Sequence, residues 1–358
     1  MLRVGLNGFG RIGRAVFRIN AQDPRCEIVV VNDLDPNVEN LAYLLKYDSV
    51  YGRFGGRVEA RPDSHKVWID GKSVAFHNQG DIARVPWEDY GVDVVIDATG
   101  VTQNRYSAAG LVDTGRVRKV VFTNAPGNGV DRTVVFGVNE ADYDDATDHL
   151  VATSICDANA IAPVLKQLDD AFGVEHGYVT TLHPWLSYQN LSDGSVRSIA
   201  SPGHFWNDFG LGRASTTNLI PKNTTAMGAV RQVLPHLTSE LDAISFRIPT
   251  AIVSTSDMTL TLRGAPNAED INAVLGTAAA SQPRVMGFGT EPLVSQDYLG
   301  IEQSLVVDSR WTRANRAGGC KVVVWYDNEW GYSQRVIDMV ALMETCWCAT
   351  PEPVEALT

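Results

Sequence analysis

Short, nearly continuous apolar runs alternate with helix-period stretches through the first part of the chain. Residues 2–6 (LRVGL), 27–32 (EIVVVN), 93–96 (DVVI), 118–122 (RKVVF) and 133–136 (TVVF) read as buried strands, and 11–19, 37–45 and 107–113 as helices. Strands that are apolar on both faces and separated by helices predict a parallel, doubly wound sheet of the Rossmann type. Beyond residue 155 the pattern changes. Helical periodicity covers 158–172, 267–280 and 334–345, while 176–182, 243–248, 252–262, 305–308 and 321–326 read as strands, several of them longer and alternating. That pattern predicts an α+β domain around a mixed or mostly antiparallel sheet. Residues 186–220 lack periodicity and are rich in Ser, Gly, Asn and Asp, as expected of a functional or assembly loop. Residues 349–358 read as a tail.

A length of 358 residues fits two domains, here 1–155 and 156–325, better than one core. The net charge of −12 argues against a nucleic-acid partner, which needs concentrated Lys and Arg, but leaves room for a small anionic substrate held by a few local cations. Cys26, Cys156, Cys320, Cys346 and Cys348 are too few and too irregularly spaced for a disulfide framework or a zinc knuckle, so free thiols and no metal centre are expected. The chain opens on MLRVGLNG, with no basic-then-apolar leader, and no apolar run is long enough to span a bilayer. The expectation is a cytoplasmic protein with no membrane partner.

Gly8-Phe9-Gly10-Arg11-Ile12-Gly13 forms G-x-G-x-x-G between a strand and a helix, and the next strand ends at Asp33, twenty residues after Gly13. In that context the motif predicts a dinucleotide site. Gly8 permits the tight turn, Gly10 lets a pyrophosphate approach the backbone, and Gly13 lets helix and strand pack closely, with the helix N-terminus facing the phosphates. Asp33 would accept from the adenosine ribose hydroxyls and repel a 2′-phosphate, favouring NAD over NADP. The alternative is a glycine turn in a nucleotide-free sheet.

Residues 152–159 (ATSICDAN) bridge a strand and a helix and put Cys156 at the helix N-terminus, where partial positive charge favours a thiolate. His183 closes a strand-like stretch and is suited to act as base and to pair with the thiolate. Taken singly, each residue has a plainer reading: a small buried hydrophobe, and a satisfied core histidine.

In order along the chain stand GLNGFGRIGR, VND, GVDVVIDATG, the Cys-x-x-Asn-x-x-Ala-Pro of 156–163, TTLH, FRIPT and WYDNEWGYS. Together these resemble the glyceraldehyde-3-phosphate dehydrogenase family and its erythrose-4-phosphate dehydrogenase relatives, from residue 1 to about 346. The resemblance implies a Rossmann domain, a catalytic domain, a C-terminal helix (326–348) returning to the first domain, and a homotetramer with an S-shaped loop matching 186–213. It implies that Cys156 is the nucleophile and His183 the base. It also implies that Arg11, Ile12, Asp33 and Thr123 contact NAD, that Asn328 fixes the nicotinamide carboxamide, and that Tyr332 lies near that ring. Arg247 would bind substrate phosphate, and Thr224 and Thr225 occupy the positions of the family's Thr-Gly at the second anion site. The implied reaction is glycolytic in type: oxidation of a small phosphorylated aldehyde through a Cys thioester.

The departures cluster at the anion sites. The family's Ser-Cys-Thr-Thr-Asn-Cys is Ile155-Cys156-Asp157-Ala158-Asn159-Ala160 here, so two hydroxyls give way to an apolar side chain and a carboxylate that opposes both phosphate and thiolate. Near His183, Leu186 replaces a threonine and Tyr188 an acid. Three functions stay open: the phosphorylating reaction, a specialised aldehyde dehydrogenase with water as acyl acceptor, and a non-catalytic NAD-binding interaction protein. Trp185, Phe205 and Trp206 read as subunit contacts.

Overall fold

The computed structural model describes residues 1–125, 127–195, 207–237 and 240–349. Phe205 and Trp206, the middle of the expected S-loop and the tail from 350 onward lie outside the described residues.

The first sheet runs in the order Arg132–Thr133, Leu150–Ala152, Lys119–Phe122, Val94–Asp97, Arg3–Asn7, Glu27–Asn32, Lys72–His77, Lys66–Ile69, Val58–Arg61. Pairing is parallel as far as Lys72–His77. Helices α1 (Arg11–Gln22), α2 (Val38–Lys46) and α3 (Asn104–Asp113) belong to this half. The strand order reverses on either side of Arg3–Asn7, so the crevice of a doubly wound sheet opens at the end of that strand, where the glycine turn sits. The predicted strand over 133–136 is corrected: only Arg132–Thr133 pairs. Val134 and Val135 are buried; the Val134 N–H still donates to the Ala152 carbonyl at 2.8 Å, and the chain turns away at Val135, whose N–H donates to Asn139 Oδ1 at 2.9 Å.

The antiparallel edge, Val58–Arg61, Lys66–Ile69 and Lys72–His77, went unread in the sequence. Its signal was present. Asp70-Gly71 links Ile69 to its register partner Lys72, with positive φ at both residues (47° and 84°), and this is the hairpin turn that Asp-Gly favours.

The second sheet is mixed, in the order Ile220–Asn223, Leu241–Ile248, Val174–Pro184, Ser254–Leu262, Gly319–Tyr326, Leu305–Asp308, Met286–Gly289. Against it lie α4 (Cys156–Phe172), α5 (Ala226–Val233) and α6 (Ala268–Ser281). A single apolar core joins Ile161, Leu165 and Leu168 of α4 to Met258, Leu260, Val322 and Val324 of the central strands. The final helix, α7 (Trp330–Ala349), begins where the last central strand ends and crosses to the first half. Its Val336, Ile337, Met339, Val340 and Met343 are buried in the same core as Leu6, Val16 and Ile19. Side chains then fasten this return: Arg11 pairs with both Glu329 and Asp48, and Arg25 with Asp338 at 2.8 Å. Among the described residues no helix is long and apolar enough to cross a membrane.

Candidate active site

At the end of the first strand the chain turns at Gly8 with φ +93°. A Cβ on Gly8 would meet the Ala98 carbonyl at 2.9 Å and one on Gly13 the Gly8 oxygen at 2.1 Å, whereas one on Gly10 would meet nothing within 4 Å. The turn is therefore closed toward the sheet and open outward at Gly10. Behind it α1 starts at Arg11 with no side-chain cap and no acid in its first turn, which leaves the N–H groups around Arg11 and Ile12 to an outside anion. Asp33 stands beside this turn, accepting from the Phe9 N–H at 2.6 Å and the Asp35 N–H at 2.9 Å. The Arg11 guanidinium turns the other way, onto Glu329 (3.0 Å) and Asp48, so its side chain braces α7 against α1.

Further along the same sheet edge, Thr123 Oγ1 donates to the Asp97 carbonyl at 3.2 Å. Asn328 is buried and its Oδ1 has no protein partner; at Asn124, directly after Thr123 in the chain, neither amide atom has one. Buried amides of this kind cost energy unless a ligand completes them. The open glycine turn, the uncapped helix and the orphaned amides fit a bound dinucleotide. Asn124 was missed in the sequence, where its place directly after Thr123 at a strand end was the available clue.

The second functional turn joins Leu150–Ala152 to α4. Ser154 carries φ +60°, a left-handed conformation that needs support in a non-glycine residue. Support comes from Tyr332, whose hydroxyl donates to the Ser154 carbonyl at 3.0 Å and lies 2.9 Å from Thr153 Oγ1. Asn159 adds two more bonds, to the carbonyls of Thr153 (2.8 Å) and Ile155 (3.0 Å). The result fixes Cys156, partly buried, as the first residue of α4.

His183 reaches the same point from the long strand Val174–Pro184. Its Nε2 lies 3.7 Å from Cys156 Sγ, and its Nδ1 is 2.9 Å from the Pro184 carbonyl. A carbonyl oxygen only accepts, so Nδ1 carries the proton and Nε2 presents a lone pair to the sulfur. Burial, then the nearby Arg247 charge, push the imidazole down to about 4. Burial and then the Asp157 carboxylate, 3.6 Å from the sulfur, push the Cys156 thiol well above its ordinary value.

Asp157 is buried and held at Oδ1 by the Tyr326 hydroxyl at 2.8 Å. Tyr326 was not singled out in the sequence, since its partner lies 169 residues away. Sulfur, imidazole nitrogen and carboxylate thus converge, one donor atom from each of Cys156, Asp157 and His183 lying within 4.8 Å of the others.

Arg247 sits beside His183 in register on the adjoining strand. It is buried, and its Nε and Nη1 have no protein partner. Lys222, another residue missed in the sequence, adds a second cation close enough that burial and then Arg247 lower its pKa. Thr224 accepts from the Ala226 N–H at 3.1 Å and Thr225 occupies the cap position of α5; among the described residues no hydrogen bond joins either to Cys156 or His183.

A nucleotide-type turn and a cysteine–histidine pair, each at a helix start after a strand of the same parallel sheet, define a cysteine-dependent, dinucleotide-binding dehydrogenase. Residues 2–105 match the family description "Glyceraldehyde 3-phosphate dehydrogenase, NAD binding domain" and residues 155–328 its "C-terminal domain" counterpart. The chain is 39% identical over 342 residues to glyceraldehyde-3-phosphate dehydrogenase 1 of Bacillus subtilis (strain 168), covering 95% of this chain and 97% of the relative. Against glyceraldehyde-3-phosphate dehydrogenase 2 of Streptomyces arenae it is 38% identical over 344 residues (96% and 98%). Against the Geobacillus stearothermophilus enzyme it is 37% identical over 341 residues (95% and 97%). The chain belongs to the glyceraldehyde-3-phosphate dehydrogenase family, and it is an NAD-dependent oxidoreductase.

Proposed function

We propose that the protein oxidises a small phosphorylated or otherwise anionic aldehyde through a thioester on Cys156. The observation that carries this reading is the 3.7 Å approach of Cys156 Sγ to the lone-pair nitrogen of His183. The Cys156 sulfur adds to the aldehyde carbon while His183 Nε2 takes the thiol proton, giving a hemithioacetal. The first-turn N–H of α4 and the imidazolium so formed stabilise the developing oxyanion. The imidazolium passes that proton to the oxyanion, giving the hydroxyl, and neutral His183 takes it back in the oxidation step, leaving the acyl group on sulfur. NAD, when bound, supplies the hydride acceptor for that step. Gly8, Gly10, Ile12 and Gly13 hold its pyrophosphate, Asp33 the adenosine ribose, and Thr123 and Asn328 the nicotinamide end, while Tyr332 supports the catalytic turn. Arg247, with two unpartnered nitrogens, binds the substrate's anionic group.

A second reading concerns the acyl acceptor. Asp157 beside the sulfur and Ile155 at the helix cap disfavour an attacking phosphate, which supports water as acceptor and a carboxylic acid as product. Thr224 and Thr225 would serve an acceptor phosphate if one is used. Domain limits near residues 155 and 325, a homotetramer and a cytoplasmic location complete the reading. Purified enzyme with NAD and an aldehyde panel, with and without phosphate, tests it. NADH formation that is lost in Cys156→Ser is expected. Phosphate-independent turnover selects water, phosphate-dependent turnover selects acyl phosphate, and no turnover on any anionic aldehyde refutes the proposal.

A further inference from the structure

Cys156, Asp157 and His183 present three different donors to one point, and the geometry points to a zinc-binding site at which Zn²⁺ reversibly switches the enzyme off. Tetrahedral Zn²⁺ takes thiolate at about 2.3 Å and imidazole or carboxylate at about 2.0–2.1 Å, so neighbouring donor atoms stand roughly 3.5 Å apart. The sulfur lies 3.7 Å from His183 Nε2 and 3.6 Å from Asp157 Oδ1, close to that spacing, and all three donors lie within 4.8 Å of one another. Each nonsulfur ligand is already oriented from behind. The Pro184 carbonyl holds the His183 Nδ1 proton, leaving Nε2 free to coordinate, and the Tyr326 hydroxyl holds the Asp157 carboxylate. Such outer partners set ligand direction and affinity in zinc sites.

Charge also balances. The ion displaces the thiol proton to solvent, and Zn²⁺ with one thiolate and one carboxylate is neutral, as burial beside Arg247 requires. Three protein ligands leave a fourth position for water. The sulfur and the imidazole lone pair are the two groups that aldehyde oxidation needs, so coordination and turnover exclude one another. This part rests on the proposed function; the binding itself does not.

The test uses metal-free full-length enzyme titrated with Co²⁺, a spectroscopic stand-in for Zn²⁺, with Zn²⁺ then displacing it. One equivalent with the strong visible bands of a tetrahedral site and a sulfur-to-cobalt charge-transfer band is expected. Cys156→Ser should abolish those bands, which separates this site from the other thiols, and Asp157→Asn and His183→Gln should each weaken affinity at least about tenfold. One equivalent of Zn²⁺ should also block alkylation of Cys156 and NADH formation, with both restored by EDTA. Absence of saturable binding, or unchanged affinity in Asp157→Asn, overturns the site. Where a variant fails to fold, wild-type enzyme carboxymethylated at Cys156 replaces it, and retained cobalt bands in that protein overturn the site equally. A normal cobalt spectrum in a protein that oxidises no aldehyde would sink the dehydrogenase reading alone; turnover without metal binding would sink the zinc site alone.

Discussion

Helices α1 and α4 both begin at the carboxyl edge of the same parallel sheet, yet the two turns that launch them are built for opposite purposes. The first is made of glycines, has no acid in its opening turn and leaves its N–H groups outward. Its charge and shape favour an incoming anion. The second is made of side chains: Ser154 in a left-handed conformation, Ile155 at the cap and Asp157 inside the first turn. There the carboxylate occupies the electropositive end of the helix, and the thiol beside it is pushed up rather than down. A helix N-terminus is thus a resource that the residues of its first turn either leave for a ligand or consume themselves.

The comparison can be broken at several points. Cys156→Ser should reduce turnover by roughly 10⁴-fold or more while NAD binding persists; paired kinetic and fluorescence titrations measure both. His183→Gln should lower kcat by about 10²–10⁴-fold, as loss of a positioned base does, with little change in NAD affinity. At the first turn, Gly13→Ala forces a methyl into the Gly8 carbonyl, and a loss of about 1–3 kcal/mol together with weakened NAD binding is expected from denaturant titration. Asp33→Ala should relax NAD-over-NADP preference by about tenfold or more, since a carboxylate facing a 2′-phosphate is strongly repulsive; unchanged preference would remove Asp33 from the ribose site. The smallest effect sharpens the contrast most. Iodoacetamide inactivation of cofactor-free enzyme should rise with pH only above the ordinary thiol range, with no ion-pair plateau between about pH 5 and 7. Asp157→Asn should shift that profile to lower pH, because it removes a negative charge and an acceptor from beside the sulfur.

Reading the sequence located the first turn far better than the second. Gly8, Gly10, Gly13 and Asp33 act through backbone shape and a fixed spacing, so their string of letters carries most of the information. Strand 27–32 was bounded correctly, and the helices starting at Arg11 and Cys156 within a few residues, because apolar period and turn residues agree locally. The catalytic turn depends on partners far off in the chain. Tyr332 bonds Ser154 across 178 residues, and Tyr326 bonds Asp157 across 169. No local pattern announces such pairs. The sequence showed two opposing influences on the Cys156 thiol, the helix terminus and the Asp157 carboxylate; the burial that pushes the thiol up most is a property of two packed cores and has no local pattern. Lys222 and Asn124 escaped notice because each becomes informative only once a neighbour, Arg247 or the missing amide partners, is known in space.

Because Val336, Ile337, Met339, Val340 and Met343 lie in the same core as Leu6 and Val16, the core of the nucleotide-binding half is not complete until α7 has been made. On the ribosome its sheet would wait, one apolar flank uncovered, until α7 emerges from the exit tunnel. A chain without α7 would expose that flank to solvent and to chaperones and would also lose Tyr332 from the catalytic turn, so such a truncation should lower yield and solubility as well as turnover.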